Sequence, residues 1–168
     1  MPLQNFGRQI RLFENLAKEH KIDFLCADYK KHENKNIKKQ GIRFYIRPYS
    51  ASRHIEFIKT LKNLIKKDKY DLIVGATDPL LGIIGYKYAK KFNIRHVYDM
   101  QDDYSCYSSY KIPFVKYLDA KAVRDSDIVL TVSDSLNREI SSFRKKPTYT
   151  VQNGVQLELF KRMDKNQA

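Results

Sequence analysis

Two runs in this chain, Leu72-Ile73-Val74 and Ile128-Val129-Leu130, are apolar at consecutive positions. Strands of that kind are buried on both faces, which happens where helices cover a parallel sheet from both sides. The rest of the sequence keeps the same rhythm. Segments near 22–26, 42–47, 71–76, 95–99, 127–133 and 148–151 read as strands. Helical spacing of apolar residues fills 6–19, the stretch after Ser52, the stretch from Pro79 to Lys91, 112–124, and the stretch from Asp134 to Phe143. Ser52 stands where a helix-capping side chain is expected, Ser133 or Asp134 is expected to cap the helix to Phe143, and a turn with Asp78-Pro79 opens the helix through Lys91, with Pro79 fitting its first turn. The polar stretch from Asp28 to Gln40 reads as a surface loop.

Strands alternating with helices require crossovers, and hence a mostly parallel sheet. The expected fold class is α/β, a Rossmann-like doubly wound parallel sheet. Ligands of such sheets bind outside the carboxyl ends of the strands. That rule singles out Asp28, Thr77-Asp78, the turn from Asp99 to Asp103, Ser133-Asp134, and the stretch from Gln152 to Gly154.

A length of 168 residues suits one domain, and a hydrophobic share of 42% is enough for a core. No run of 18 apolar residues exists to span a membrane, and residues 1–7 lack a signal-peptide core. Cys26 and Cys106 are too few for a disulfide or zinc framework and read as buried small hydrophobes. These features place the chain in the cytosol. The net charge is +13. Two readings fit it: affinity for anionic partners, or the composition of an AT-rich genome, which would also enrich lysine, asparagine, isoleucine and tyrosine. His20, His32, His54 and His96 show no ligand spacing, and no phosphate-binding G-x-G-x-x-G or Walker loop is present.

Three stretches then carry a resemblance. Asp71-Leu72-Ile73-Val74-Gly75-Ala76-Thr77-Asp78-Pro79 leads into a helix, and Val97-Tyr98-Asp99-Met100-Gln101-Asp102-Asp103 has the form VYD-x-H-D with glutamine for histidine. Ser126-Asp127-Ile128-Val129-Leu130-Thr131-Val132-Ser133 is followed by Val151-Gln152-Asn153-Gly154-Val155 and Leu159-Phe160. Phe6-Gly7 into a helix adds a weaker match. In these motifs the sequence resembles the N-terminal, acceptor-side domain of GT-B glycosyltransferases of retaining family four, over nearly its whole length.

The resemblance implies half of a GT-B fold, with residues 1–160 as the Rossmann-like domain and 161–168 as a tail towards a C-terminal donor domain missing from the chain. It implies transfer of a sugar from a nucleotide-sugar to a glycan or lipid acceptor, as in building surface polysaccharide, glycolipid or lipopolysaccharide. No cofactor and no metal are implied; the nucleotide-sugar is a substrate, bound by the donor domain through an E-x7-E carboxylate pair. The chain alone is expected to be inactive. The family's first strand also lacks a counterpart ahead of Phe6-Gly7, which would leave neighbouring strands unpaired unless the chain is a fragment, the remaining strands close the gap, or another chain fills it.

Residue by residue, the resemblance makes Gln101 and Asp102 the catalytic-turn pair, with Gln101 able to donate and accept hydrogen bonds but not to act as acid or base. Gly7, Asp78, Asp103, Ser133, Asn153 and Gly154 become substrate-binding residues; Gly7 would face the donor diphosphate from a helix N-terminus. Simpler readings stand beside these. Gln101-Asp102 and Asn153-Gly154 can be plain turns, Gly7 a plain loop, and Tyr104, Tyr107 and Tyr110 either stack on an acceptor or pack. The carboxylates of Asp99, Asp102 and Asp103 read as solvated, not metal-bound. A split or decayed half that binds without chemistry is the alternative function. A specific nucleic-acid interface lacks any motif to support it.

The helix after Ser52 adds one more expectation. Phe57, Ile58, Leu61, Leu64 and Ile65 span roughly 120° of its wheel, and Lys59, Lys62, Lys66 and Lys69 fall within roughly 80° beside them. Lys59, Lys62 and Lys66 are therefore candidates for peripheral contact with an anionic membrane on the cytosolic side, against the plainer reading of a solvated helix face.

Overall fold

The computed structural model describes residues 7–30, 33–50 and 53–154. The expected cap at Ser52, the motif residues Val155, Leu159 and Phe160, and the tail at 161–168 lie outside them. The chain divides into two compact units, Met1–Tyr70 and Asp71–Ala168.

The first unit holds helix α1 (Gly7–Glu14), strands β1 (Asp23–Asp28), β2 (Lys35–Lys39) and β3 (Ile42–Pro48), and helix α2 (His54–Asp68). Its sheet runs β1-β3-β2, with β1 parallel and β2 antiparallel to β3. Strand β2 was expected to be loop. Its five residues are all exposed, and only Ile37 is apolar, so no periodicity announces it. The turn does: Gln40 and Gly41 both take positive φ, 50° and 80°, as a tight two-residue hairpin requires. Along β3 burial alternates. Ile42, Phe44 and Ile46 join Cys26 in the core, and Arg43, Tyr45 and Arg47 occupy the opposite face. Arg43 clamps Asp23 through two hydrogen bonds and also reaches Asp68 at 3.1 Å, tying two strands to the end of α2.

The second unit holds β4 (Leu72–Ala76), α3 (Pro79–Phe92), β5 (Arg95–Met100), α4 (Val115–Asp125), β6 (Ile128–Thr131), α5 (Asp134–Phe143) and β7 (Thr148–Thr150). Its sheet is β4-β5-β6-β7, parallel at every pairing, as the βαβ rhythm requires. This is the α/β, Rossmann-like architecture expected, with one correction: the strands form two sheets, not one. β4 pairs with β5 alone, and Leu72 is exposed while Ile73 and Val74 are half-buried. The apolar run therefore sits on a sheet edge instead of being buried on both faces.

Tyr98, Met100, Tyr104, Ala122, Val123, Val129, Leu136 and Ile140 build the second core. Helix α3 lies so close to β5 that a Cβ on Gly82 would overlap the Tyr98 ring. Arg144 is buried and donates to the carbonyls of Val123, Arg124, Ser126 and Pro147, satisfying the C-terminal end of α4. Cys26 is buried as expected, and burial pushes its thiol up to about 12. Cys106 is exposed, contrary to expectation, because it closes a short 3-10 turn after β5.

Candidate functional site

Parallel pairing puts the carboxyl ends of β4, β5, β6 and β7 at one end of the second sheet. Thr77-Asp78, Gln101-Asp102-Asp103, Ser133 and Asn153-Gly154 follow those ends in turn. Thr77 adopts φ 77°, a left-handed conformation that is costly for a β-branched residue, and such strain gathers at functional sites.

Three of the expected substrate-binding residues cap helices. Asp78 accepts from Leu80 N at 2.7 Å at the start of α3, and burial holds its carboxyl above the ordinary range despite that bond. Ser133 accepts from Leu136 N at 3.2 Å at the start of α5. Asp103 accepts from Ser105 N at 2.9 Å and from Ser105 Oγ at 2.8 Å, which keeps its carboxyl below the ordinary range. Asn153 and Gly154 are exposed, just past the point where Val151 N donates to Thr131 O at 2.8 Å.

Gln101 and Asp102 are held differently. Gln101 donates from Nε2 to buried Asp99 at 3.1 Å, and its backbone N–H donates to the Tyr104 hydroxyl at 3.3 Å. The Asp102 carboxylate is exposed; it accepts from Asp103 N at 2.9 Å and from the Tyr107 hydroxyl at 3.3 Å. Burial, and then the neighbouring Asp102 carboxylate, push the Tyr107 hydroxyl above its ordinary range. Of the three tyrosines, Tyr104 is a core residue at 1% exposure, with Tyr107 edge-on to it at 5.0 Å. Tyr107 and Tyr110 are half-buried against the same core.

The sequence reading missed Asp119. This carboxylate, on the inner face of α4, is buried and accepts from the hydroxyls of both Tyr98 and Tyr110. Tyr110 belongs to the short 3-10 turn Ser108–Lys111, so the bond fixes the segment that follows Gln101-Asp102. Its signal was present: Val115, Asp119, Ala122 and Val123 share helical spacing, and an acid on such a face needs partners.

The other candidates lie in the first unit. Gly7 is the first residue of α1. Lys59 and Lys66 are exposed on α2, and Lys62 is half-buried; Lys69 lies just beyond the helix as its left-handed cap. An open concavity of about 520 Å³ runs along that helix, lined by Arg53, Ile55, Glu56, Lys59, Thr60 and Asn63.

Among the described residues no cluster of three metal-ligating side chains occurs, and no helix is long and apolar enough to cross a membrane. No curated protein matches the chain. The sequence profile of Glycosyltransferase Family 4 matches residues 10–159, nearly the whole length, and the chain belongs to that family.

Proposed function

We propose that this chain is the acceptor-side domain of a glycosyltransferase, holding a glycan or lipid acceptor while a nucleotide-sugar is presented by a separate donor domain. One observation carries the reading: Gln101-Asp102 sits at the carboxyl end of β5, an inner strand of a parallel sheet, within the span matched to the family. Bonding to Asp99 orients the Gln101 amide and leaves its oxygen to accept from a sugar hydroxyl. Asp102 adds an exposed carboxylate, and a carboxylate accepts from more than one hydroxyl. The Tyr107 hydroxyl donates to it and holds it at this end of the sheet. Asp78, Asp99, Asp102 and Asp103 make this end of the sheet acidic, which favours a hydroxyl-bearing acceptor over the diphosphate of a donor.

Transfer needs both reactants in near-attack geometry, so the acceptor side gives no turnover by itself. The test uses purified chain with UDP- and GDP-sugars and an array of oligosaccharides and glycolipids. Expected are no hydrolysis or transfer, and binding to a subset of the array that weakens about tenfold in Gln101→Ala and Asp102→Ala, the loss of one or two good hydrogen bonds. Turnover by homogeneous protein that is lost in those variants overturns the acceptor-only reading. Array binding indifferent to both substitutions overturns the site. Peripheral attachment to an anionic membrane through Lys59, Lys62 and Lys66 is proposed beside this, on the exposure of Lys59 and Lys66.

A further inference from the structure

We propose that the trough between helix α2 and strands β2 and β3 binds an acidic oligosaccharide, one whose sugars carry carboxylates. The concavity of about 520 Å³ along α2 does not end at Thr60 and Asn63. The same two residues line a second hollow of about 220 Å³, whose other walls are Tyr45, Arg47, Leu64 and Lys67. The two hollows adjoin and run from Arg53, just before α2, to Lys67 in its last turn. At about 1.5 Å per helical residue those ends lie roughly 20 Å apart, a length that suits a short chain of sugars better than a single ion.

The floor of this trough is already built. Arg47 donates from Nε to Thr60 Oγ1 at 2.9 Å and from Nη2 to Asn36 Oδ1 at 2.9 Å. Its Nη1 donates to the carbonyls of Lys35 and Ile46 at 3.1 and 2.8 Å. One guanidinium thus joins α2, β2 and β3 and fixes a positive charge beneath the trough. Glu56 is the one acid among the described residues that line it, and Asn34 Nδ2 donates to that carboxylate at 2.5 Å.

The charge runs along the trough. Arg47, Arg53, Lys59 and Lys67 line it, and pairing of β2 with β3 sets Lys38 beside Arg43 and Asn36 beside Tyr45 on the same face of the sheet. A concave site lined by one sign of charge concentrates the opposite sign, and cations spread over this length match a ligand with one anion per unit. Thr60 and Asn63, where the hollows meet, carry a hydroxyl and an amide that pair with sugar hydroxyls. Ile55, 56% exposed, and Leu64 offer apolar contact to the C–H faces of sugar rings.

Other polyanions fit less well. Single-stranded nucleic acid binds by stacking bases on open aromatic faces. Tyr45 is the one aromatic side chain among the described lining residues, and the guanidiniums of Arg43 and Arg47 lie over its ring, 5.9 and 5.8 Å from the centre. A flat bilayer reaches a rim residue such as Lys59 but not half-buried Arg47 on the floor.

The trough belongs to the first unit alone, so the inference goes beyond the transferase reading and does not rest on it. Calorimetric titration of the full chain tests it, with tetragalacturonate as the acidic ligand, maltotetraose as its neutral counterpart, and polyphosphate and oligothymidylate as other polyanions. Expected is saturable binding of tetragalacturonate that weakens as salt is raised, and none of maltotetraose. Lys66→Glu and Lys67→Glu change the net charge equally at adjacent exposed positions of α2, but of the two only Lys67 lines the trough. Lys67→Glu is expected to lower the affinity about tenfold or more, and Lys66→Glu less than about threefold. Asn63→Ala, which leaves the charge alone, should lower it about fourfold, with circular dichroism unchanged in all three variants. Equal effects of the two lysine substitutions overturn the proposal, as does the absence of tetragalacturonate binding or equal binding of maltotetraose. Polyphosphate or oligothymidylate bound as tightly as tetragalacturonate also overturns it, since the trough would then sense charge and not sugar. Glycan binding that Gln101→Ala weakens and Lys67→Glu does not would sink this site and leave the acceptor reading standing.

Discussion

The hydroxyl of Tyr98 in β5 donates to the carboxylate of Asp119 in α4, and both residues are buried to about 1% exposure or less. Burial raises the Asp119 carboxyl above its ordinary range, and the two tyrosine hydroxyls act against that rise. Asp119→Ala leaves two hydroxyls without their acceptor. Urea unfolding is expected to lose about 2–4 kcal/mol, whereas Tyr110→Phe, which keeps the Tyr98 bond, loses about 1 kcal/mol. Equal effects from the two substitutions would contradict the shared-acceptor arrangement.

His96 predicts a pH response. Its ring is buried, bonds Ser126 Oγ through Nδ1 at 2.8 Å, and has no partner for Nε2 among the described residues. Burial lowers its pKa from 6.5 to about 4. Between those values the unfolded chain binds the proton and the folded chain does not. Stability is therefore fully present above pH 6.5 and falls as the pH drops towards 4. The loss is on the order of 3 kcal/mol at most, from about 1.4 kcal/mol per pKa unit. The raised carboxyls of Asp78 and Asp119 act in the opposite sense, since the folded chain takes up their protons first. Comparison with His96→Asn isolates the histidine. If its denaturation midpoint varies between pH 7.5 and 5 just as the parent's does, the assignment is wrong.

Close packing of α3 on β5 gives a third expectation. Gly82→Ala drives a methyl into the Tyr98 ring, and overpacking of this kind costs about 1–3 kcal/mol. Gly154→Ala is the control, because among the described residues nothing lies within 4 Å of its added methyl. Thermal melting should separate the two variants clearly; similar midpoints would mean that α3 can shift to accommodate the methyl.

The lysine face of α2 carries a fourth expectation. Replacing Lys59, Lys62 and Lys66 by glutamate is expected to reduce recovery with anionic vesicles about tenfold at low salt, and the effect should fade as salt is raised. Equal recovery with neutral and anionic vesicles ends the idea. Lys62 is half-buried, so Lys59 and Lys66 should account for most of the change.

Where side-chain period and burial agree, the sequence foretold the structure. Strand β3 alternates in letters and in burial, and of the two capping residues expected before the last helix, Ser133 and Asp134, the structure uses Ser133; the cap at Asp78 was expected only as a turn before Pro79. Strand β2 escaped notice because an exposed strand has no apolar face to leave a pattern, and its turn is Gln40-Gly41, not the more familiar asparagine-glycine. The apolar run of β4 suggested an inner strand, but composition reports what a strand could bury, and pairing decides what it does bury. Gln101 and Asp102 were placed by the strand-end rule. The partners of Asp119 were not, since Tyr98 lies 21 positions away and only folding brings it near.

Strand β2 also has a colloidal consequence. The outer strand of a sheet is a template on which a second molecule can polymerise. Here that strand carries Lys35, Lys38 and Lys39, all exposed, so two copies approaching along it meet like charges before any backbone hydrogen bond can form. The charge on β2 thus works against fibril growth through this edge of the first sheet.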